Sequence, residues 1–176
     1  MGGELSGRRI TAPLGRSTRP TGERVREAAF NSLKDHLFQA RVLDLYAGSG
    51  AMGLESVSWG AEQCLFVEPN RHAQASIRAN IATLAVTASA ELWPITAEQA
   101  IRALLEQQRI FDLIICDPPW REGLSQSVGQ ALPGLLGHGG ILLVEHPAGK
   151  DFGPFKNLTL WKQRKYGGTM LSYWMA

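Results

Sequence analysis

The sequence predicts an α/β fold, in which a mostly parallel, open sheet carries helices on both faces and ends in an antiparallel hairpin. From residue 41 onward, apolar runs typical of buried strands alternate with stretches of helical periodicity, which indicates successive strand–helix units. The last two strand-like runs flank Tyr166-Gly-Gly168, a turn typical of a hairpin. At 176 residues, the chain has the length of one domain.

The N-terminal arm, defined as residues 1–20, precedes the predicted domain of residues 21–176. It is rich in Gly, Arg, Ser, Thr and Pro, which favours an extended segment with a short hairpin around residues 9–13. Thr21 is the predicted N-cap of a helix over residues 22–38, where apolar residues recur every four positions. A solvated tail is the alternative interpretation of the arm.

The remaining elements follow from apolar runs and their periodicity. Strands are predicted over residues 41–46, 63–68, 91–95, 111–116, 141–146, 158–165 and 169–175, which makes a seven-stranded sheet. Helices are predicted over residues 51–58, 71–84, 97–108 and 124–136.

The first strand leads into a glycine-rich turn, Asp44-Leu-Tyr-Ala-Gly-Ser-Gly50, and a helical pattern begins at once. With Gly53, the glycines have the spacing G-x-G-x-x-G, which allows a sharp turn and leaves backbone N–H groups open to a ligand. Glu68 ends the next apolar run, about twenty residues after the first glycine, where an acidic side chain usually binds a ribose. The pattern predicts a nucleotide-like ligand, against the alternative of an ordinary turn with incidental glycines.

The glycine spacing alone would also suit a dinucleotide. However, Asp44 lies where hydride-transfer enzymes have apolar residues, and D-x-x-x-G-x-G resembles the first motif of class I methyltransferases, which bind S-adenosylmethionine. The resemblance implies that the glycine backbone lies near the amino-acid part of the cofactor and that Glu68 binds both ribose hydroxyls. Thr96-Ala97 stands where many such enzymes bind the adenine amine through an acidic residue. The candidate cofactor residues are Asp44, Tyr46, Gly48, Ser49, Gly50, Glu68, Pro69, Thr96, Ala97 and Asp117.

A second motif, Asp117-Pro-Pro-Trp120, directly follows a strand of four apolar residues. Two consecutive prolines make a stiff turn without N–H groups, so Asp117 and the Pro118 carbonyl are available as paired acceptors. Such acceptors position an exocyclic base amine for methylation, and Trp120 offers a surface on which a base can stack. The motif resembles the (Asp/Asn)-Pro-Pro-aromatic motif of amino-methyltransferases. The candidate catalytic residues are Asp117, Pro118, Pro119 and Trp120.

Charge is unevenly distributed along the chain, although the net charge is only +2. Arginines are concentrated in the arm, and residues 156–165 add basic side chains without an acid, which suits a polyanion docking on one face. Cys64 and Cys116 lie in or beside apolar runs, and the four histidines lack ligand spacing, so no metal site is expected. We expect a cytoplasmic protein, since the sequence shows no apolar run of membrane-spanning length and no signal peptide. A monomer is the default expectation.

With both motifs in place, the chain resembles the bacterial 16S ribosomal RNA guanine-N2 methyltransferase family from Gly7 to Tyr173. Arg19-Pro-Thr-Gly-Glu-Arg-Val-Arg-Glu27 is the most family-specific segment, since generic methyltransferases lack it. The resemblance implies a Rossmann-like class I methyltransferase fold, S-adenosylmethionine as cofactor and the small ribosomal subunit as partner, with the target guanine between Asp117, Pro118 and Trp120. Trp120 departs from the Phe that is more frequent in the family. The candidate RNA-binding residues are Arg8, Arg9, Arg16, Arg19, Thr21, Arg24, Arg26 and Arg121.

Three other functions fit parts of the pattern. An amino-methyltransferase acting on DNA or on adenine in RNA would share both motifs, but DNA enzymes usually carry a target-recognition segment that this chain lacks. A non-catalytic RNA-binding protein with a cofactor fold would not need Asp44, Glu68 and Asp117. A nicotinamide-dependent enzyme would use the glycine turn alone.

Overall fold

The computed structural model describes residues 1–11 and 22–176 and contains one seven-stranded sheet. The strand order is β3-β2-β1-β4-β5-β7-β6, with β1 to β5 parallel and β7 antiparallel to both of its neighbours. The predicted open parallel sheet with a closing hairpin is therefore confirmed. The strands are β1 (Arg41–Asp44), β2 (Gln63–Val67), β3 (Ala90–Trp93), β4 (Phe111–Cys116), β5 (Leu136–Pro147), β6 (Thr159–Tyr166) and β7 (Thr169–Met175).

Five helices cover the two faces of the sheet, as predicted. One apolar cluster joins the first three helices to one face, and a second cluster joins the last two to the other. The strand residues alternate between these clusters, as expected for a sheet buried on both faces. No helix in the described ranges 1–11 and 22–176 is long and apolar enough to cross a membrane. The helices are α1 (Glu23–Leu33), α2 (Ala51–Ser58), α3 (Arg71–Leu84), α4 (Ala97–Glu106) and α5 (Gln126–Ala131).

Three elements have a boundary that differs from the prediction by more than two residues. Helix α1 begins after Gly22 and ends at Leu33, where a 3₁₀ turn continues the chain. Helix α5 ends at Ala131, because a 3₁₀ turn that contains Pro133 begins at Leu132. Strand β5 begins five residues earlier than predicted, since Leu136 pairs with Phe111 across a bulge in the β4–β5 register.

The start of the arm folds against the domain, and Gly3–Leu5 form a 3₁₀ turn, which corrects the expectation of an extended segment there. The backbone N–H of Leu5 donates to Ser58 Oγ at 2.9 Å. Gly3 is in the left-handed region, and a side chain there would collide with the Ser58 carbonyl. The predicted hairpin and the Thr21 cap lie wholly or partly outside the described residues, and the division at residue 20 stays a prediction.

Gly53 lets α2 approach β2 more closely than any other residue would. A Cβ at this position would lie 2.3 Å from a ring carbon of Phe66 and 2.6 Å from Cys64 Sγ. Both neighbours are fully buried in the core, so neither can move aside.

We expect Gly53→Ala to lower the free energy of unfolding by about 3 kcal/mol, because the added methyl overpacks a closed contact. Denaturant unfolding monitored by circular dichroism measures this change. Gly168→Ala is the matched control, since a Cβ there meets nothing within 4 Å, and its effect is expected to stay within about 0.5 kcal/mol. Equal stability of the two variants would contradict the steric argument.

Candidate active site

The glycine loop, residues 47–50, connects β1 to α2 at the carboxyl edge of the sheet. Gly48 and Gly50 both have left-handed backbone angles, with φ of 55° and 78°. The Gly50 N–H donates to the Ala47 carbonyl at 2.7 Å, which closes the turn. A Cβ at Gly48 would meet nothing within 4 Å, so this part of the loop faces open space. The predicted tight turn is present, but the expectation of open glycine N–H groups is corrected: those of Gly48, Gly50 and Gly53 already donate within the protein, to Glu68, Ala47 and Asp44.

Asp44 lies beneath this loop rather than on its open side. Its carboxylate is only 2% exposed and accepts the Gly53 N–H through Oδ2 at 2.9 Å. Burial raises the pKa of Asp44 to about 7; the Gly53 hydrogen bond opposes the shift, and the nearby Glu68 charge adds to it. The geometry assigns Asp44 to holding the first turn of α2, which positions the glycine loop.

Glu68 follows β2 and holds the loop from the other side. Its Oε2 accepts the Gly48 N–H at 2.8 Å, and its Oε1 accepts the Asn70 N–H at 2.8 Å. Burial raises the pKa of Glu68, while these two hydrogen bonds act to lower it. Each carboxylate oxygen has a second lone pair, so both can accept a further donor. Pro69, beside it, is exposed.

The Asp117-Pro-Pro-Trp120 turn lies next to the glycine loop because β4 is the neighbour of β1. Asp44 pairs with Ile115, so the residues that follow the two strands, Tyr46 and Asp117, emerge side by side. The Pro119 carbonyl accepts the N–H of Gly123 at 2.8 Å, which folds the turn back on itself. Asp117 and Trp120 are partly buried, Pro118 is buried and Pro119 is exposed.

Tyr46 is partly buried beside this turn. Burial raises the pKa of its hydroxyl, and the neighbouring Cys116, Glu98 and Glu122 add to the shift. Tyr46 therefore stays protonated at physiological pH and can donate a hydrogen bond at the edge where both motifs meet.

Glu145 is a further carboxylate at this edge that the sequence prediction omitted. Cys116 pairs with Val144, so Glu145 lies on the strand next to Asp117, and it is buried. Its signal was present in the sequence, since Glu145 ends the apolar run of β5 as Glu68 ends that of β2.

Thr96 needs a correction as a candidate for binding the adenine of a cofactor. Its N–H donates to Gln99 Oε1 at 3.0 Å, and its hydroxyl accepts the Gln99 N–H at 3.3 Å, so Thr96 forms the capping box of α4. Ala97 is buried as the first residue of that helix. The capping box uses the Thr96 N–H and one acceptor site of its hydroxyl, so a role at the cofactor requires the O–H proton of Thr96 or other atoms of the segment.

Arg26 is also corrected. Its Nε lies 3.1 Å from Glu55 Oε2, and the side chains are 11% and 4% exposed, respectively. Glu55 Oε1 also accepts the Gly2 N–H at 2.6 Å and the Trp59 indole N–H at 3.3 Å. Arg26 is therefore a structural cation that neutralises a buried carboxylate, and it is not available to a phosphate.

The other predicted RNA-binding residues divide into three groups. Arg8 is exposed but donates through Nη1 to the Leu84 carbonyl at 3.2 Å, at the end of α3. Arg9, Arg24 and Arg121 are exposed. Arg16, Arg19 and Thr21 lie outside the described residues.

Neither Glu55 nor Asn80 was predicted to have a role. Asn80 is buried in α3, and its amide bonds both Thr11 of the arm and the Ser49 carbonyl of the glycine loop.

Within residues 1–11 and 22–176, no group of three or more His, Cys, Asp or Glu side chains could hold a metal ion. The expectation of a metal-free site stays a prediction.

Comparison with known proteins identifies the chain. A family described as "Conserved hypothetical protein 95" matches residues 1–175. The chain belongs to this family. The fold is that of the Rossmann-like methyltransferases, as the sequence predicted.

Two relatives and one solved structure show how similar this chain is to known proteins. It is 38% identical over 122 residues to YlbH of Bacillus subtilis, which is provisionally named an rRNA methyltransferase; the alignment covers 69% of this chain and 66% of YlbH. It is 35% identical over 124 residues to ribosomal RNA small subunit methyltransferase D of Escherichia coli, covering 70% of this chain and 61% of the relative. Both alignments span slightly less than two thirds of the relatives' length. The solved structure of Escherichia coli yhhF superposes with a TM-score of 0.86 at 29% identity, covering 99% and 95% of the two chains.

The different environments of Arg24 and Arg26 lead to a stability prediction. We expect Arg26→Met to lower the free energy of unfolding by about 3 kcal/mol, because it leaves the buried Glu55 carboxylate without its cation. Arg24→Met, at an exposed position of the same helix, is expected to change stability by less than about 0.5 kcal/mol. Denaturant unfolding of both variants measures the difference, and a small effect of Arg26→Met would restore Arg26 as a candidate for contacting RNA.

Asp44 leads to a prediction on pH. The folded protein keeps a proton on Asp44 up to about pH 7, whereas the unfolded chain loses it near the ordinary value of 3.8. The free energy of unfolding should therefore fall as pH rises between these values, and the loss is complete above the upper one.

We expect Asp44→Asn to remove this pH dependence of the free energy of unfolding, since the amide stays neutral and its oxygen can still accept the Gly53 N–H. Relative to wild type, the variant should gain stability between pH 4.5 and pH 8 by on the order of 2–4 kcal/mol. Urea unfolding at the two pH values measures the gain. The same stability difference at both pH values would show that Asp44 titrates normally in the folded protein.

Proposed function

We propose that this protein transfers a methyl group from S-adenosylmethionine to the exocyclic N2 amine of a guanine in 16S ribosomal RNA. The observation that carries the proposal is the meeting of two motifs: the glycine loop after β1 and the Asp117-Pro-Pro-Trp120 turn after β4 emerge from neighbouring parallel strands. Ligands of open α/β sheets bind at this carboxyl edge. A methyl donor and a methyl acceptor bound by the two motifs would lie against each other.

The residues around the glycine loop fit S-adenosylmethionine. Gly48 leaves the loop backbone open, and the Glu68 carboxylate beside it can accept two more hydrogen bonds, as a ribose with two free hydroxyls requires. Asp44 and Glu68 hold the loop before any ligand binds, which reduces the cost of ordering it on binding. Bound there, S-adenosylmethionine would supply a methyl group activated by its sulfonium.

The second motif suits a weakly nucleophilic base amine. The lone pair of guanine N2 is delocalised into the ring, and acceptors on its two N–H groups favour the pyramidal geometry that directs the lone pair at the methyl group. Asp117 and the Pro118 carbonyl are the proposed acceptors, and Trp120 is the stacking surface, worth roughly 1–3 kcal/mol per base. One N2 proton must leave after methyl transfer. Asp117 need not be a strong base, because the methylated amine is very acidic.

The RNA substrate is supported by the names of the relatives and by the exposed cations. The Escherichia coli relative is named as a methyltransferase of the small ribosomal subunit RNA. Arg9, Arg24 and Arg121 are exposed on this chain and are proposed to contact phosphates, with Arg16 and Arg19 of the arm. The modest net charge of +2 favours an assembled small subunit, rather than naked RNA, as substrate.

The test is transfer of labelled methyl groups from S-adenosylmethionine to unmodified small ribosomal subunits, followed by identification of the modified nucleoside. Wild type should produce N2-methylguanosine, and Asp117→Ala should reduce the rate by at least about 100-fold, as loss of a positioned charge-stabilising group does. Asp112→Ala is the matched control. That carboxylate lies at the opposite end of the same strand, bonded to Arg41 at 3.2 Å, and its loss should leave the rate within a few-fold of wild type.

Other products would redirect the proposal. Methylated adenine would keep the mechanism and change the substrate. Cofactor binding without transfer to any nucleic acid would favour a non-catalytic RNA-binding protein. Equal turnover on deproteinised RNA and on small subunits would contradict the preference for an assembled substrate.

A further inference from the structure

Among the described residues, the side-chain amide of Asn80 makes three hydrogen bonds, and all of them reach outside its own helix. Its Oδ1 accepts the Thr11 N–H at 2.7 Å, and its Nδ2 donates to the Thr11 carbonyl at 2.9 Å. The same Nδ2 donates to the Ser49 carbonyl at 3.1 Å. One amide, only 2% exposed, therefore joins the arm directly to the glycine loop.

The arm end of this connection is well defined. Asn80 bonds both backbone groups of Thr11, as a neighbouring strand would, and thereby fixes the direction of the chain at that residue. In the sequence, Thr11 precedes residues 12–20, the part of the arm that contains Arg16 and Arg19. Arg8, three residues earlier, is bonded to the last carbonyls of the same helix, α3. The segment that precedes the arm's remaining arginines is thus attached to α3.

The loop end lies within the proposed cofactor site. Ser49 stands between the two glycines that have left-handed backbone angles, and its carbonyl is the group that Asn80 holds. The Gly48 N–H next to it is held by Glu68. A change in the position of Asn80 therefore changes the Ser49–Gly50 peptide, in the loop where the cofactor is proposed to bind.

We propose that Asn80 couples RNA binding by the arm to cofactor binding at the glycine loop. This inference rests on the proposed function. RNA bound to the arm restrains Thr11, Thr11 holds the Asn80 amide, and the amide holds the Ser49 carbonyl in the geometry that accepts the cofactor. By linkage, the cofactor strengthens RNA binding by the same factor as RNA strengthens cofactor binding. Asn80 is a positioning residue in this scheme, since it touches neither ligand.

The experiment measures this factor directly by titrating S-adenosylhomocysteine into the full chain, alone and with saturating unmodified small ribosomal subunits. We expect the subunits to tighten S-adenosylhomocysteine binding by about 5- to 20-fold in wild type, within the usual range of coupling between sites. Asn80→Ala should reduce the factor to below about two-fold. Thr11→Pro removes the N–H that Asn80 Oδ1 accepts, at an exposed position, and leaves the Asn80 amide itself in place. This variant should also lower the factor while leaving the affinity measured without subunits near the wild-type value.

Ser58→Ala is the matched control. The Ser58 hydroxyl bonds Gly2 and Leu5, so it anchors the arm, but to α2 and without a bond to the glycine loop. This variant should keep the wild-type coupling factor. Thermal unfolding of all variants identifies any that are not folded, and Thr11→Pro tests the connection where Asn80→Ala does not fold.

The results separate this inference from the function on which it rests. A wild-type coupling factor in Thr11→Pro and in folded Asn80→Ala overturns the role of Asn80 and leaves methyl transfer untouched. Loss of coupling in Ser58→Ala to the same extent also overturns it, since any loosening of the arm would then suffice. Absence of S-adenosylhomocysteine binding in wild type overturns the proposed function itself.

Discussion

The hydrogen bond between Asp44 and the Gly53 N–H is the constraint on which the active-site edge depends. It ties the end of β1 to the first turn of α2, across a loop whose glycines have no side chains to hold it in place. Glu68 holds the Gly48 N–H from the next strand. Two buried carboxylates thus replace the core packing that fixes other turns. This arrangement requires both carboxyl groups to be desolvated, and burial accordingly raises the pKa of Asp44 and of Glu68.

Local patterns predicted the strands and helices that position the site, because each buried element of this fold has an apolar run of its own. Strand β5 shows where such patterns fail. Its first residues, Leu136-Gly-His-Gly-Gly140, read as a loop, since glycine is depleted in strands. They join the sheet because Gly139 and Gly140 bond Ala176 at the far end of the chain. A boundary set by a distant partner cannot be read from its own segment.

The same limit explains the side chains whose roles were predicted wrongly or omitted. Arg26 and Glu55 are 29 residues apart in the chain, and only the fold shows that each neutralises the other. Arg24 is also an arginine and lies two positions before Arg26 on the same helix, yet it is exposed. Asn80 looks like an ordinary polar residue of a helix, yet its partners are 31 and 69 residues away. Motifs made of consecutive residues were found from the sequence, whereas pairs formed across the fold were not.

The distribution of charge shows how a nearly neutral protein could act on a polyanion. Glu68 and Asp117 follow β2 and β4, and Glu145 lies near the end of β5, so these carboxylates gather at one edge of the sheet. The exposed arginines that are proposed to contact phosphates, Arg9, Arg24 and Arg121, lie on surrounding segments rather than on the strands. A phosphate backbone would be attracted by these arginines and repelled from the strand ends. A flipped base, which is uncharged, and a cationic sulfonium would be accepted there. This separation of charge gives the proposed site its selectivity for a base over the backbone that carries it.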